Sequence, residues 1–100
     1  SLVRNGQTAA ETYSTDHEGS FAGIEPKTIH EIEPAIQIAA GGPNDAYLSG
    51  AEAQESGRGY TVTATASNGD TFTITRNKEG EVQHTCTAVS KGSGCQSGTW

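Results

Sequence analysis

The sequence has few basic residues and no cluster of them. Its 100 residues include 6 Lys and Arg against 12 Asp and Glu, which gives a formal net charge of −6 at pH 7. Nucleic acids and anionic membrane surfaces attract clustered Lys and Arg, so this chain lacks the electrostatic footprint for either partner. We therefore predict that this domain does not bind nucleic acid directly.

Large aliphatic side chains and long apolar runs are scarce as well. Leu, Ile, Val and Phe together number 14, below the roughly 20% at which a high net charge begins to indicate disorder. No stretch approaches the roughly 18 apolar residues of a membrane helix, and the first residues lack a signal-peptide pattern. The ordered patterning described below predicts one folded domain with a thin core, either soluble or the soluble part of a membrane protein.

Only two cysteines are present, and they do not form a CxxC motif of the kind that metal and redox sites use. Cys86 and Cys95 flank the flexible segment TAVSKGSG, which favours a disulfide over two free thiols. In the loop-entropy model, closing about ten residues stabilises the domain by roughly 2 to 3 kcal/mol. Such a bridge persists in an oxidising compartment, so the cysteines predict a location outside the cytoplasm.

An amphipathic helix is predicted from about residue 2 to residue 16, with Gly19 as its terminator. Small and apolar residues recur at helical spacing and form one stripe: Leu2, Val3, Gly6, Ala9, Ala10 and Tyr13. The opposite face is polar and is predicted to be solvated: Arg4, Gln7, Thr8 and Glu11. Because the pattern opens on an apolar pair without a convincing N-cap, we expect it to begin inside a longer element.

Residues from about 20 to 58 are predicted to form a long, variable loop. A short helix is expected at PKTIHEI, where Pro26 suits the first turn, with a break at Glu33–Pro34. The segments AAGGPND and SGAEAQESGRG have the composition of loops. A connection of this length indicates packed irregular structure or a functional surface.

A three-stranded antiparallel meander is predicted from about residue 59 to residue 88. The segments YTVTATA, TFTITR and EVQHTC alternate apolar and polar residues with the period of strands that bury one face. Threonines fill the other face. The predicted inner face consists of even-numbered residues: Tyr60, Val62, Ala64, Phe72, Ile74, Val82 and His84, with Cys86 following.

Parity constrains the two turns of this meander. Residues that lie opposite each other share a face, so even-numbered inner residues must pair with even-numbered partners. The NKEG turn satisfies this rule if Gly80 is left-handed and Asn77 pairs with Glu81. The segment SNGD would break the rule as a two-residue turn, so a three-residue loop or a bulge is predicted there. The N-terminal helix is the element available to cover the inner face, which predicts an α+β fold.

The residues that could carry chemistry do not form a convergent set. His17 lies between Asp16 and Glu18, but neighbours at a helix end point apart, whereas metal ligands must converge. His30 lies among Glu25, Glu31 and Glu33, where a surface ion pair is favoured over acid–base chemistry.

The remaining candidates also favour structural roles. His84 is expected to pack at the sheet edge against the helix or the tail, and Asn68, Gly69 and Asp70 are predicted to form a turn rather than a calcium site. Trp100 is predicted to cover apolar surface. The sequence contains no GxSxG nucleophile motif and no phosphate-binding loop that opens a helix. We therefore predict no catalytic residues, no metal and no cofactor.

Two segments in order resemble a known family. RNGQTAAETYSTDHEGSFAG resembles the start of the ectodomain of bacterial type IV pilins. GYTVTATASNGDTFTITRNKEGEVQHTC, followed by GSGCQSGTW, resembles the pilin sheet and its C-terminal loop. The resemblance covers about two-thirds of the chain and is weakest from Ile24 to Arg58. No single motif in it is diagnostic.

The resemblance implies a pilin-like α/β-roll, in which the N-terminal helix packs on a three- to four-stranded antiparallel meander. Cys86 and Cys95 match the disulfide pair of the family and would close a C-terminal loop over residues 86–100. The processing site, the apolar half of the helix and its assembly glutamate have no counterpart in the given residues. The resemblance therefore identifies the chain as a soluble ectodomain whose membrane anchoring would depend on an upstream segment.

The function implied is that of a structural subunit of an extracellular pilus, working by self-association and not by catalysis. The implied partners are other copies of the chain and the pilus assembly machinery, at the bacterial cell surface and anchored in the membrane before assembly. The alternative is a minor pilin or a type II secretion pseudopilin that acts as an adaptor through residues 24–58. Pseudopilins typically carry a calcium loop in place of the disulfide, so the cysteines favour a pilin.

Overall fold

The computed structural model describes residues 2–39, 46–66 and 69–87, which form an α+β fold. Two helices precede an antiparallel sheet whose four strands lie in chain order. The elements are α1 (Leu2–Asp16), α2 (Pro26–Ile32), β1 (Tyr47–Gln54), β2 (Gly59–Thr65), β3 (Thr71–Arg76) and β4 (Val82–Thr87). Within the described ranges, no helix is long and apolar enough to cross a membrane.

Helix α1 has the predicted bounds. The chain leaves the helix at Gly19, whose φ of 85° is left-handed and whose N–H donates to the Ser14 carbonyl over 2.7 Å. Just beyond, the Tyr13 hydroxyl donates to the Ala22 carbonyl over 2.6 Å. These bonds fold the segment after α1 back along the helix. Leu2 is half-buried, and the buried residues of α1 are Val3, Gly6, Ala9, Ala10, Tyr13 and Ser14.

Helix α2 also lies where the sequence predicts it. Pro26 occupies its first turn, and the helix ends at Ile32, directly before Glu33 and Pro34. Ile29 is fully buried and fixes the helix to the core. His30 Nδ1 lies 2.8 Å from the Ile36 carbonyl oxygen, so its ring fixes the turn that follows α2.

The interpretation of SGAEAQESGRG as a loop is wrong, because its first part belongs to β1. This strand pairs antiparallel with β2, and its register shifts between Leu48 and Gly50. The extra residue at that bulge interrupts the period-two alternation by which strands are recognised. Ala, Gly and Glu are also poor strand formers, so neither the pattern nor the composition signals this strand. The predicted loop 20–58 is therefore interrupted by α2 and β1, and most of AAGGPND lies outside the described residues.

The registers of β2, β3 and β4 are those that parity predicts. Thr65 pairs with Thr71, so the even sum required across the SNGD segment is confirmed. Ile74 pairs with His84 across the second hairpin. In the NKEG turn the Asn77 N–H donates to the Glu81 carbonyl over 3.0 Å, and Gly80 is left-handed.

Helix α1 crosses the inner face of the sheet and contacts β1, β2 and β3. The contact is closest at Gly6, where a Cβ atom would lie 2.9 Å from Leu48 Cδ1 and 3.9 Å from Val62 Cβ. A residue without a side chain is therefore what lets the helix lie this near the sheet. Four predicted inner-face residues are buried, namely Tyr60, Val62, Ala64 and Ile74, and Phe72 is half-buried against the core.

The prediction for Val82 is wrong, since this side chain is 43% exposed. Val82 begins β4, which is the edge strand furthest from β1. Among the described residues, α1 reaches β3 but makes no contact with β4. The inner-facing position of Val82 is thus set by the strand register, but its burial is not. His84, two residues further along β4, is half-buried.

Candidate functional site

The histidines serve the backbone rather than a reaction centre. The described residues contain no group of three His, Cys, Asp or Glu side chains that could hold a metal ion. His17 stacks on Tyr13 with ring centroids 3.9 Å apart, and its Nδ1 lies 2.8 Å from the Tyr13 carbonyl oxygen. It therefore satisfies a carbonyl near the end of α1. His30 contacts a backbone carbonyl, and this contact replaces the predicted surface ion pair.

A polar cluster ties α1 to the sheet, and we call its residues Glu11, Phe21, Tyr60 and Arg76 the helix–sheet cluster. Arg76 Nη1 donates to both Glu11 carboxylate oxygens, over 2.7 and 3.0 Å. The Tyr60 hydroxyl donates to Glu11 Oε2 over 3.0 Å. One carboxylate of α1 thus binds both β2 and β3. The interpretation of Glu11 as a purely solvated residue is wrong.

Aromatic contacts extend this cluster into the core. The Phe21 and Tyr60 rings lie 4.7 Å apart and are tilted by 55°. The Arg76 guanidinium lies 5.5 Å from the Phe21 ring centroid, within the range of a cation–π contact. The ion pair itself is only partly shielded, with side-chain exposures of 32% for Arg76 and 42% for Glu11. Its main effect is therefore to orient α1, since partly exposed pairs add little stability.

Burial raises the pKa of Tyr60 well above its ordinary value, and the negative charge of Glu11 and the hydrogen bond to it raise this pKa further. A folded-state pKa above the unfolded one means that the fold favours the protonated phenol. The associated stability is complete below the unfolded pKa of about 10 and is lost as the pH rises from there towards the folded pKa.

We expect the Tyr60→Phe variant to lose the alkaline destabilisation that the phenol causes. In urea titrations, the free energy of unfolding of the wild-type chain should fall more steeply above about pH 10 than that of the variant. The absorbance change of tyrosinate should likewise lose its last-titrating part. Identical slopes for the two proteins in this pH range would contradict the assignment.

A groove of about 350 Å³ lies between α1 and α2. Its floor includes buried Ala9 and Ile36, and half-buried Leu2 and Ile32 lie along it. Glu33 and polar residues of α1 complete the lining. The groove is open, partly apolar and remote from the helix–sheet cluster in sequence. Its composition suits an apolar side chain of another protein better than a charged small molecule.

The outer face of the sheet has a different character. Threonines occupy three consecutive outward positions on β2, three on β3 and two on β4. We call this surface the threonine face: Thr61, Thr63, Thr65, Thr71, Thr73, Thr75, Thr85 and Thr87. All of these side chains are exposed or half-buried. The outward positions of these three strands carry no Asp, Glu, Lys or Arg.

The predicted disulfide involves one described residue only. Cys86 is 9% exposed and is not a free thiol. Cys95 and Trp100 lie outside the described residues, so the Cys86–Cys95 bridge and the role of Trp100 stay predictions.

Thiol titration tests the bridge. We expect the unfolded, unreduced protein to release no titratable thiol, and the protein treated with reductant to release two. Two free thiols without reductant would remove both the bridge and the argument for an oxidising compartment.

The site analysis therefore yields three surfaces: the helix–sheet cluster, the α1–α2 groove and the threonine face. Sequence periodicity identified the residues of the threonine face, but no local signal identified the cluster, whose members come from separate parts of the chain. Comparisons with known proteins found no matching protein-family model, no matching curated protein and no matching solved structure.

Proposed function

We propose that this chain is the globular part of a subunit of a type IV pilus-like filament, which acts by self-association and not by catalysis. The observation that carries the proposal is the placement of α1 across the inner face of the antiparallel sheet, in closest contact at Gly6. This placement fits the α/β-roll that the sequence resemblance implies. The two segments that resemble pilins are those that form α1 and the β2–β4 meander.

The structure offers a physical reason why such a unit would suit a filament. Helix α1 is held to the sheet twice, by Leu48 packing at Gly6 and by the bonds from Tyr60 and Arg76 to Glu11. A helix fixed at two points keeps a constant direction relative to the sheet. An apolar upstream segment, as the resemblance implies, would then present each globular unit in the same orientation. Repeated head-to-tail contacts of this kind generate open helical filaments.

The partners in this proposal are other copies of the chain, joined through an upstream apolar helix, and the assembly machinery that adds them. The location is the bacterial cell surface, with membrane anchoring before assembly. The acidic composition agrees with a role that requires no direct binding of nucleic acid by this domain.

Fractionation of the native cells tests the proposal. Filaments are sheared from the surface and sedimented, and the chain is detected with antibodies raised against residues 1–100. We expect the chain in the sedimented filaments, and we expect its gene to encode a basic leader and about 20 apolar residues upstream of this domain. A chain found only as a dispersed protein, behind a cleavable secretory signal, would contradict the proposal.

A second candidate is a minor pilin or a pseudopilin that acts as an adaptor. The α1–α2 groove favours it, because half-buried Leu2 and Ile32 provide apolar surface for a side chain of a neighbouring filament subunit. Stoichiometry distinguishes the two: a major subunit dominates the sheared filaments, whereas an adaptor is a minor component. Calorimetry with calcium adds a further test, since a micromolar site would favour the pseudopilin.

A further inference from the structure

The threonine face is a two-dimensional array and not only a row of strand formers. Thr73 lies at its centre, opposite Thr63 on β2 and Thr85 on β4. Along β3, Thr71 and Thr75 flank it at two-residue steps. The sheet geometry sets the two repeats of this array, at roughly 4.5 to 5.5 Å between opposite side chains and about 6.6 Å along each strand.

The side chains of this array are held in place by one another. The hydroxyls of Thr63 and Thr73 lie 3.2 Å apart, and those of Thr61 and Thr75 lie 3.4 Å apart. Threonine has a branched and therefore stiff side chain, and these contacts restrict it further. Each bonded pair keeps further donor and acceptor capacity for water, and each threonine also presents a methyl group. The face thus presents fixed hydroxyls and methyls in a regular pattern.

The chemistry of the face excludes the more common partners. It has no charged residue for a polyanion, a mineral ion or an ionic peptide, although the chain as a whole carries a net charge of −6. It also lacks the Trp, Tyr and Arg anchors that dominate protein–protein interfaces. A rigid, uncharged array of hydroxyls and methyls instead suits a surface that is itself a lattice of uncharged hydrogen-bonding groups.

We propose that the threonine face binds ice. On a prism face of hexagonal ice, water oxygens form a rectangular lattice whose two repeats are close to those of the threonine array. Hydroxyls can take the place of lattice water molecules, while methyls favour the ordered water around them. Because neighbouring strands are twisted relative to each other by about 20 to 25°, the match is best around the central residue Thr73. The inference does not depend on filament assembly.

Ice recrystallisation and thermal hysteresis measurements on the 100-residue chain test this inference. We expect the wild-type protein to inhibit recrystallisation and to depress the freezing point below the melting point. Thr73→Lys places a long charged side chain at the centre of the array and should raise the inhibiting concentration by roughly tenfold or more. Thr15→Lys is the matched control, because Thr15 is exposed on α1, away from the sheet, and it should leave inhibition unchanged.

A second variant, Thr71→Lys, guards against a folding defect in Thr73→Lys. Circular dichroism and thermal melting identify which variants keep the wild-type fold, and at least one folded variant of the array must lose inhibition. A wild-type protein with no more effect than an inert protein of the same size overturns the inference. Inhibition that both folded array variants retain overturns it as well.

Discussion

Replacing Gly59 with alanine is expected to cost the fold roughly 3 kcal/mol or more. Gly59 begins β2, and a Cβ atom there would overlap the carbonyl oxygen of Arg76 and approach the carbonyl carbons of Arg76 and Asn77. These are backbone atoms of the paired strand, so no side-chain rotation relieves the overlap. The free energy of unfolding from urea denaturation measures the effect. The expected loss is a large fraction of the 5 to 15 kcal/mol typical of whole domains.

Two other glycines separate this overlap from ordinary effects of glycine substitution. Gly50→Ala on β1 would place a Cβ 3.6 Å from Thr63 Cβ, which is ordinary contact, and should change stability by no more than about 0.5 kcal/mol. Gly19→Ala meets no neighbour but has a φ of 85°, and should cost about 1 to 2 kcal/mol from backbone strain. A Gly59→Ala variant as stable as Gly50→Ala would contradict the described strand pairing.

Replacing Gly6 with valine is expected to separate α1 from the sheet and to cost about 2 to 3 kcal/mol. A Cβ at this position would lie 2.9 Å from Leu48 Cδ1, and the two valine methyls would extend towards Leu48 and Val62. Both neighbours are fully buried, so the added volume has nowhere to go. Urea denaturation measures this loss. Asn5→Val is the matched control on the same helix, because Asn5 is exposed, and it should change stability by about 0.5 kcal/mol at most.

A double-mutant cycle locates the effect of Gly6→Val. Leu48→Ala alone should cost about 2 to 5 kcal/mol, because it leaves a cavity. In that background the cavity receives the valine, so the additional cost of Gly6→Val should fall below about 1 kcal/mol. Additive losses would mean that residues 6 and 48 do not touch.

The sequence predicted those elements whose patterns are local and uninterrupted. The stripe of Val3, Gly6, Ala9 and Tyr13 located α1, and Pro26 with Glu33–Pro34 bounded α2. Strict alternation and turn parity predicted the pairing of Ile74 with His84. In each case the relevant interactions are formed by residues close together in the chain, so periodicity and turn chemistry were sufficient.

The features that the sequence did not predict depend on distant residues or on a broken pattern. The bulge between Leu48 and Gly50 shifts the alternation of β1 and hides the strand. The contacts of Glu11 with Tyr60 and Arg76 join residues 49 and 65 positions apart. Val82 stays exposed because helix cover ends at β3, which depends on where α1 crosses the sheet. Residue spacing alone carries no information about such placement.

The threonine face lies between these two cases. Alternation predicted that the threonines of β2, β3 and β4 point away from the inner face. Their arrangement as an array around Thr73 follows only from the combined registers of two hairpins. A one-residue slip in either hairpin would have replaced the array with alternating threonine and apolar rows. The function proposed for this surface therefore rests on register as much as on composition.

The central claim is that α1 shelters the inner face of the sheet, and a nuclear Overhauser measurement tests it most directly. The close approach of Gly6 to Leu48 predicts a strong cross-peak between the Gly6 Hα protons and a Leu48 δ-methyl group. It also predicts cross-peaks from Tyr60 ring protons to Phe21, whose ring lies 4.7 Å away. If assigned Gly6 and Leu48 resonances show no cross-peak in the folded protein, the helix does not lie on the sheet, and the account is contradicted.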